Sequence, residues 1–349
     1  MAEASRNSPR ILIVRLSAIG DVIHGVPVLC ALRDALPQAF LSWVVEGRAG
    51  DLLAGHAALD ELVRVPRGWL KSPHEVWRLR RRLHSLRFDM AIDLQCLTKS
   101  AIAAWLSGAP RRIGKAGEDG RELSRWIHNE LVPCGGAHVI EHYLDLLTPL
   151  GIESPVVKFD LRESPADGQM ANEFLARSGI AVGSFALMNP GAGWPSKIWP
   201  AERYGQLASK LAASHGIKCV AVWGATSERP LAEAIVAASD GHAKLAPPTS
   251  MTELGALCRR AAIFVGSDTG PMHLAVAVGT PTISLHGPSR AEWCGAYGPQ
   301  NIRLQVCYEE GSAFERRKAD DSAMRAIEVE MVAAACDRLL SENAARQCG

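Results

Sequence analysis

The sequence predicts an α/β protein made of two Rossmann-like halves, each a parallel sheet wound with helices. Three observations carry this. Short apolar runs alternate with helix-length segments along the chain, and parallel strands need such crossovers. In residues 262–289, AIFVGSDTGPMHLAVAVGTPTISLHGPS, an apolar strand breaks at Gly266-Ser267-Asp268-Thr269-Gly270, a helix runs over 272–278, and a second strand follows at 282–285. Residues 10–21 make the same step from strand to turn to helix. A chain of 349 residues is long for one core, so two domains are expected.

Taken in order, RILIVRL at 10–16 is the first strand. Ser17-Ala18-Ile19-Gly20-Asp21 turns the chain into a helix that Pro37 stops. Further strands are expected at 41–45, 62–65 and 90–94, with helices at 74–86 and at 98–107, the latter ending at Gly108. Helix 138–150 closes this half. A polar link at 162–168, with Ser164-Pro165-Ala166-Asp167, marks the boundary. The second half repeats the alternation, with strands at 185–189, 218–223, 243–245, 262–265 and 282–285. Its helices are expected at 169–178, 201–215, 227–239 and 252–260. The domains are therefore read as 1–165, 166–320 and a closing segment, 321–349, whose helix at 322–342 is expected to pack back toward the first domain.

Composition narrows the class. Hydrophobic residues at 48% and charged residues at 21% are an ordinary soluble mix. A formal net charge of +1 exerts no global pull on nucleic acid. The nine cysteines are scattered, odd in number and without a CxxC pair, which favours reduced thiols over a zinc knuckle or disulfide framework. MAEASRNSPR at the N-terminus has no apolar h-region, and no apolar stretch reaches spanning length. A cytoplasmic protein is expected, its membrane contact peripheral.

In doubly wound sheets, ligands bind beyond the carboxyl ends of the strands. The turn 266–270 gathers backbone N–H groups, a hydroxyl and a positive helix end, with Pro271 placed where a first helical turn accepts it; together these suit a diphosphate. Asp268 suits sugar hydroxyls, or caps the helix. The loop Asn189–Pro200 sets Lys197 among three prolines and two tryptophans, a stiff setting that suits phosphate. Glu228 either accepts from ribose hydroxyls or belongs to a first helical turn. In the first half, residues 17–21 lack GxGxxG, which removes support for hydride chemistry. Asp21 is either a carboxylate favouring the helix dipole or a general base. Arg64, Arg67, Lys71, Arg78, Arg80, Arg81, Arg82 and Arg87 stand against Glu75 alone. They form either a solvated helix face or a site for a phosphorylated glycolipid or anionic membrane, which interleaved Trp69 and Trp77 would fit. No nucleic-acid motif accompanies them. No DxD pair ends a strand and no His/Cys cluster is visible, so no metal is expected.

With these loops placed, the chain resembles the bacterial heptosyltransferases, the ADP-heptose-using glycosyltransferases of family 9. The matching stretches are RLSAIGDVIHGVPVLCALR, AIDLQCLTKSAIAAWLSGAPRRIG, NPGAGWPSKIWP, VWGATSERP and GSDTGPMHLAVAVGTPTISLHGPS. The resemblance implies a GT-B fold, two Rossmann-like domains facing across a central cleft, inversion at the sugar carbon, no metal or other cofactor, and lipopolysaccharide inner core (Kdo-lipid A type) as acceptor. By position, Asp21 matches the catalytic base and Lys197 the lysine near the diphosphate. Glu228 matches the acid near the ribose, while Asp268, Thr269, Gly270 and His273 match the donor-sugar and phosphate group. Gly193, in the Lys197 loop, completes this nucleotide-sugar set. Arg15 and Lys99 match basic positions on the acceptor side, which Arg78 and Arg81 extend. Cys96 stands where the family usually has glycine. Pro190-Gly191-Ala192-Gly193 resembles the enzyme adding the second heptose, whereas SWVVEGRAGDLLAGHAALDELVRVP resembles the one adding the first. The implied partners are ADP-heptose, the acceptor lipid and the anionic cytoplasmic face of the inner membrane, without nucleic acid. The alternatives are a GT-B transferase or epimerase using another nucleotide sugar, and a catalytically silent nucleotide-binding module.

Overall fold

The computed structural model describes residues 8–117 and 122–348, with side chains through residue 343. Most of MAEASRNSPR and the Cys348 side chain lie outside the described residues. The chain divides between Leu161 and Arg162 into two compact units.

The first unit carries β1 (Arg10–Val14), β2 (Phe40–Glu46), β3 (Glu61–Val65), β4 (Met90–Asp93), β5 (Arg111–Lys115) and β6 (Glu130–Val132). All are parallel, in the order β3-β2-β1-β4-β5-β6. From β1 the chain steps outward to β2 and β3, crosses back to β4, and steps outward the other way. Right-handed crossovers then place helix Ile19–Ala35 on one face, and helices Pro73–Leu86, Thr98–Leu106 and Ser124–Ile127 on the other. Leu79, Leu83, Ala103 and Ala104 of that second layer pack on Leu12, Val14 and Val44. Trp69 belongs to this core at 1% exposure, so it is not the interface residue the sequence suggested. Its large ring closes the corner between β3 and the following helix. On the opposite face, helix Ile19–Ala35 comes very near the sheet at Gly25. A Cβ there would stand 2.8 Å from both Trp43 and Leu94.

The second unit carries β7 (Phe185–Asn189), β8 (Lys218–Ala221), β9 (Ala243–Leu245), β10 (Ile263–Ser267), β11 (Thr282–His286) and β12 (Ile302–Gln305). It too is parallel, in the order β12-β11-β10-β7-β8-β9. Ser164, expected in a link, caps helix Pro165–Ser178 by accepting from Asp167 N. The closing helix expected at 322–342 is two pieces, Ser322–Arg325 and Val329–Cys348. The break falls where Trp199 Nε1 and Arg203 Nη1 both donate to Ile327 O, at 2.9 and 2.5 Å. Val332, Cys336 and Leu339 of the long piece enter the second unit's own core. Among the described residues, no helix is long and apolar enough to cross a membrane.

Candidate functional site

Parallel pairing aligns the carboxyl ends of β11, β10, β7 and β8, and the second unit's candidates cluster there. β10 ends at Ser267, and the next residue, Asp268, turns its side chain into a nearly closed site, 9% exposed. Its Oδ2 accepts from Lys197 Nζ at 2.5 Å and its Oδ1 from His273 Nε2 at 3.1 Å. Lys197 also reaches Asp268 O at 3.4 Å and lies 4.6 Å from the centre of the Trp194 ring. Burial acts to raise the Asp268 pKa, but the His273 hydrogen bond and the Lys197 charge overcome it, and the carboxyl titrates well below its usual range. Asp268 therefore does not cap the helix. Thr269 holds the N-cap position of helix Gly270–Ala277, and its hydroxyl is tied to Ser267 O at 3.2 Å. The first-turn N–H groups from Gly270 onward are thus left to an incoming anion.

Two residues that the sequence reading passed over brace this arrangement. Asn189, the last residue of β7, donates to Gly191 O at 3.0 Å and to Thr269 Oγ1 at 3.3 Å, tying the Lys197 loop to the β10 turn. Its place at a strand end beside a Gly-rich loop was the available signal. His286, the last residue of β11, is wholly buried, with Ser284 and Ser289 hydroxyls 3.0 and 3.3 Å from its ring nitrogens. Burial pushes its pKa down to about 4, so it is neutral near pH 7. Glu228 lies against Gly191, and its Oε2 accepts from Gly224 N and Ala225 N at 3.0 and 3.1 Å. Half of its carboxylate thus closes its own turn. Gly193 is exposed in the loop.

In the first unit the carboxyl ends of β2, β1, β4 and β5 line up in the same way. Arg15, following β1, is 10% exposed and grips Asp21 Oδ2 at 2.6 Å. The same oxygen accepts from Ala18 N at 3.1 Å, across a cis Ser17–Ala18 peptide. Asp21 is 40% exposed and opens helix Ile19–Ala35, so the helix-start reading and an accessible carboxylate coexist. Lys99 is paired with buried Glu46 at 2.7 Å. Arg15 and Lys115 both lie over the Tyr143 ring, at 5.5 and 4.7 Å. Lys115 escaped the sequence reading because β5, RRIGK, has no apolar run to announce a strand.

The loop after β4 is wound around Asp93. Its Oδ1 accepts from Gln95 N and Cys96 N, and its Oδ2 from Ser100 Oγ. His128 Nε2 lies 3.1 Å from that Oδ2, off the line of a hydrogen bond. Gln95 in turn accepts from Leu16 N at 3.0 Å, which pins this loop to the one bearing Arg15 and Asp21. Cys96 has φ +52°, the left-handed conformation that glycine favours. Its thiol is buried, accepts from Lys115 N and donates to Asp93 O.

The sequence showed no His/Cys cluster, yet the fold gathers Asp93, Cys96 and His128, and again Asp268, His286 and Cys294, with possible ligand atoms within 4.8 Å. In each group the carboxylate already accepts from protein donors. The arginine stretch is divided. Arg64 pairs with Asp51, Arg78 with Glu75, and Arg82 with Glu61 at 2.5 Å across a groove beside β3. Arg81 instead lies over exposed Trp77. No contact among the described residues ties Arg78 or Arg81 to Arg15 or Lys99.

Residues 76–323 match the family described as glycosyltransferase family 9 (heptosyltransferase). Lipopolysaccharide heptosyltransferase 1 of Pseudomonas aeruginosa is 31% identical over 310 residues, covering 84% of this chain and 83% of that protein. A glycosyl transferase family 9 structure from Veillonella parvula superposes with a TM-score of 0.83 at 23% identity, over 96% of this chain and 98% of the other. The structure of Escherichia coli heptosyltransferase WaaC with ADP superposes with a TM-score of 0.71 at 24% identity, over 96% and 98%.

Proposed function

The chain belongs to glycosyltransferase family 9, and on that premise we propose that it transfers a heptose from ADP-heptose to the lipopolysaccharide inner core. The protein is a glycosyltransferase of the GT-B fold class. The observation that carries the donor assignment is the Lys197–Asp268–His273 set beside an open helix start, a combination of cation and N–H donors suited to a diphosphate. On the second unit, diphosphate oxygens draw the Lys197 ammonium from Asp268, and Asp268 then accepts from sugar hydroxyls. Glu228 Oε1 is the acceptor for ribose hydroxyls, its other oxygen being held by Gly224 and Ala225.

On the first unit, Asp21 takes the proton of the attacking acceptor hydroxyl. Arg15 orients that carboxylate, and Lys99 meets phosphates of the acceptor. Attack from the face opposite the diphosphate inverts the anomeric carbon, and Lys197 with the Thr269 and Gly270 N–H groups stabilises the departing charge without a metal. Work on a lipid-borne acceptor places the protein peripherally at an anionic membrane surface on the cytoplasmic side. The name of the Pseudomonas relative supports transfer of the first heptose.

The test is product analysis. The chain is mixed with acceptor lipid and, in separate reactions, ADP-heptose or UDP-sugars, with and without EDTA, and products are read by mass spectrometry and by the anomeric proton coupling. A heptose-mass increment with ADP-heptose alone, inverted and insensitive to EDTA, is expected. An increment only with a UDP-sugar, or only with added divalent metal, overturns the assignment.

A further inference from the structure

The three exposed tryptophans among the described residues all lie on one layer of the first unit. Trp77, Trp105 and Trp126 are 55%, 57% and 76% exposed. They stand on helices Pro73–Leu86, Thr98–Leu106 and Ser124–Ile127, which follow β3, β4 and β5. Those crossovers all advance the same way across the sheet, so the three helices share one face. They also abut. The His84 ring would lie 2.8 Å from a Cβ at Gly108, just past the second helix, and Leu123 N, at the third, donates to Thr98 Oγ1 at 3.4 Å. The inner sides of the first two bury Leu79, Leu83, Ala103 and Ala104. Their outer sides carry the tryptophans, joined by Leu123 at 59% exposure.

The charge on this layer is sorted. Arg78 and Arg82 are consumed by Glu75 and Glu61 toward β3. Arg80, Arg81 and Arg125 have no carboxylate partner among the described contacts. Arg81 and Arg125 lie instead over the Trp77 and Trp126 rings, at 5.4 and 5.5 Å. The layer's one described carboxylate outside these pairs, Glu122, is bonded to Thr98 N. An indole is an apolar body with a polar N–H, and it settles at the boundary between hydrocarbon and headgroups. Arginines beside it meet lipid phosphates.

We propose that this outer helical layer docks on an anionic phospholipid surface, with Trp77, Trp105 and Trp126 inserted at headgroup depth and Arg80, Arg81 and Arg125 on the phosphates. The proposal deepens the peripheral membrane contact named above and rests on that reading for the lipid-borne acceptor. It moves the contact from the arginine stretch of 64–87 to a surface spanning three helices. A second copy of the chain fits this face less well, since two-fold pairing would set the same three arginines against one another.

The test uses the full chain and vesicles of phosphatidylethanolamine with phosphatidylglycerol, or of phosphatidylcholine alone. Partition is read by co-sedimentation, and insertion by quenching of tryptophan fluorescence with brominated lipid. W105S/W126S, which touches only exposed side chains, should weaken partition at least about tenfold, or 1.4 kcal/mol, with unchanged circular dichroism and unchanged transfer to a delipidated, soluble core acceptor. R80Q/R81Q/R125Q should lose the preference for phosphatidylglycerol. Undiminished partition of W105S/W126S overturns the proposal. So does concentration-dependent self-association, seen by light scattering, that the tryptophan variant abolishes. Failure of the wild-type chain to modify the soluble acceptor would count against the transferase reading alone, since vesicle partition is read without turnover.

Discussion

Asp268 must remain ionised in a site that excludes most water, and it does so because Lys197 and His273 both serve it. Removing one partner of such a pair costs far more than the pair itself contributes. Asp268→Asn should therefore destabilise the second unit by about 3 kcal/mol or more, measured by urea unfolding. His286 provides a separate acid sensitivity. Its folded pKa, about 4, lies below the unfolded value near 6.5, so the unfolded chain binds a proton that the folded one refuses between those values. Stability should be level above pH 6.5 and fall on the order of 3 kcal/mol by pH 4. His286→Gln should flatten that limb, and equal slopes in both chains would refute the role. Asp21 is a different kind of residue, exposed and at a helix start, so its substitution spares the core. Asp21→Asn should lower kcat by about 10²–10⁴-fold and leave ADP affinity unchanged in calorimetry.

Helix Ile19–Ala35 aims Asp21, and Gly25 is what lets this helix lie against Trp43. Trp43 Nε1 also donates to Arg15 O, so one ring braces both the helix and the residue that grips Asp21. Gly25→Ala should cost about 1–3 kcal/mol through overpacking and lower turnover as well, checked by thermal unfolding beside steady-state kinetics. The interior strands were legible because burial on both faces writes an apolar run. β5, β6 and β12 were not, since RRIGK, ELV and IRLQ lie toward sheet edges and carry charge. The closing helix read as continuous because its break depends on Trp199 and Arg203, more than a hundred residues away. Of the candidate site, residues at strand ends were found by position. Their tertiary partners Glu46, Asn189 and His286 were not, because a partner at long range leaves no local pattern. Trp69 and Trp77 show the same limit, being near neighbours in sequence with opposite burial.

At the scale of the molecule, two units repeat one architecture, each gathering its polar residues at the carboxyl edge of a parallel sheet. The proposed division of labour can be read in the intact chain. ADP at 100 times its Kd should add about 2.7 kcal/mol of protection to slowly exchanging amides of residues 185–286. It should leave those of residues 10–132 unchanged by hydrogen exchange mass spectrometry. Protection confined to the first unit would reverse the assignment.

The Lys197–Asp268 bond has one more consequence, which concerns the anions the site refuses. An open lysine would welcome chloride or orthophosphate, both abundant competitors. Here any anion must first outbid a carboxylate already seated at 2.5 Å. Only a ligand that brings several other attachments, as a nucleotide does with its base, ribose and second phosphate, can meet that threshold. Orthophosphate should therefore be a feeble competitor of ADP in the wild-type chain.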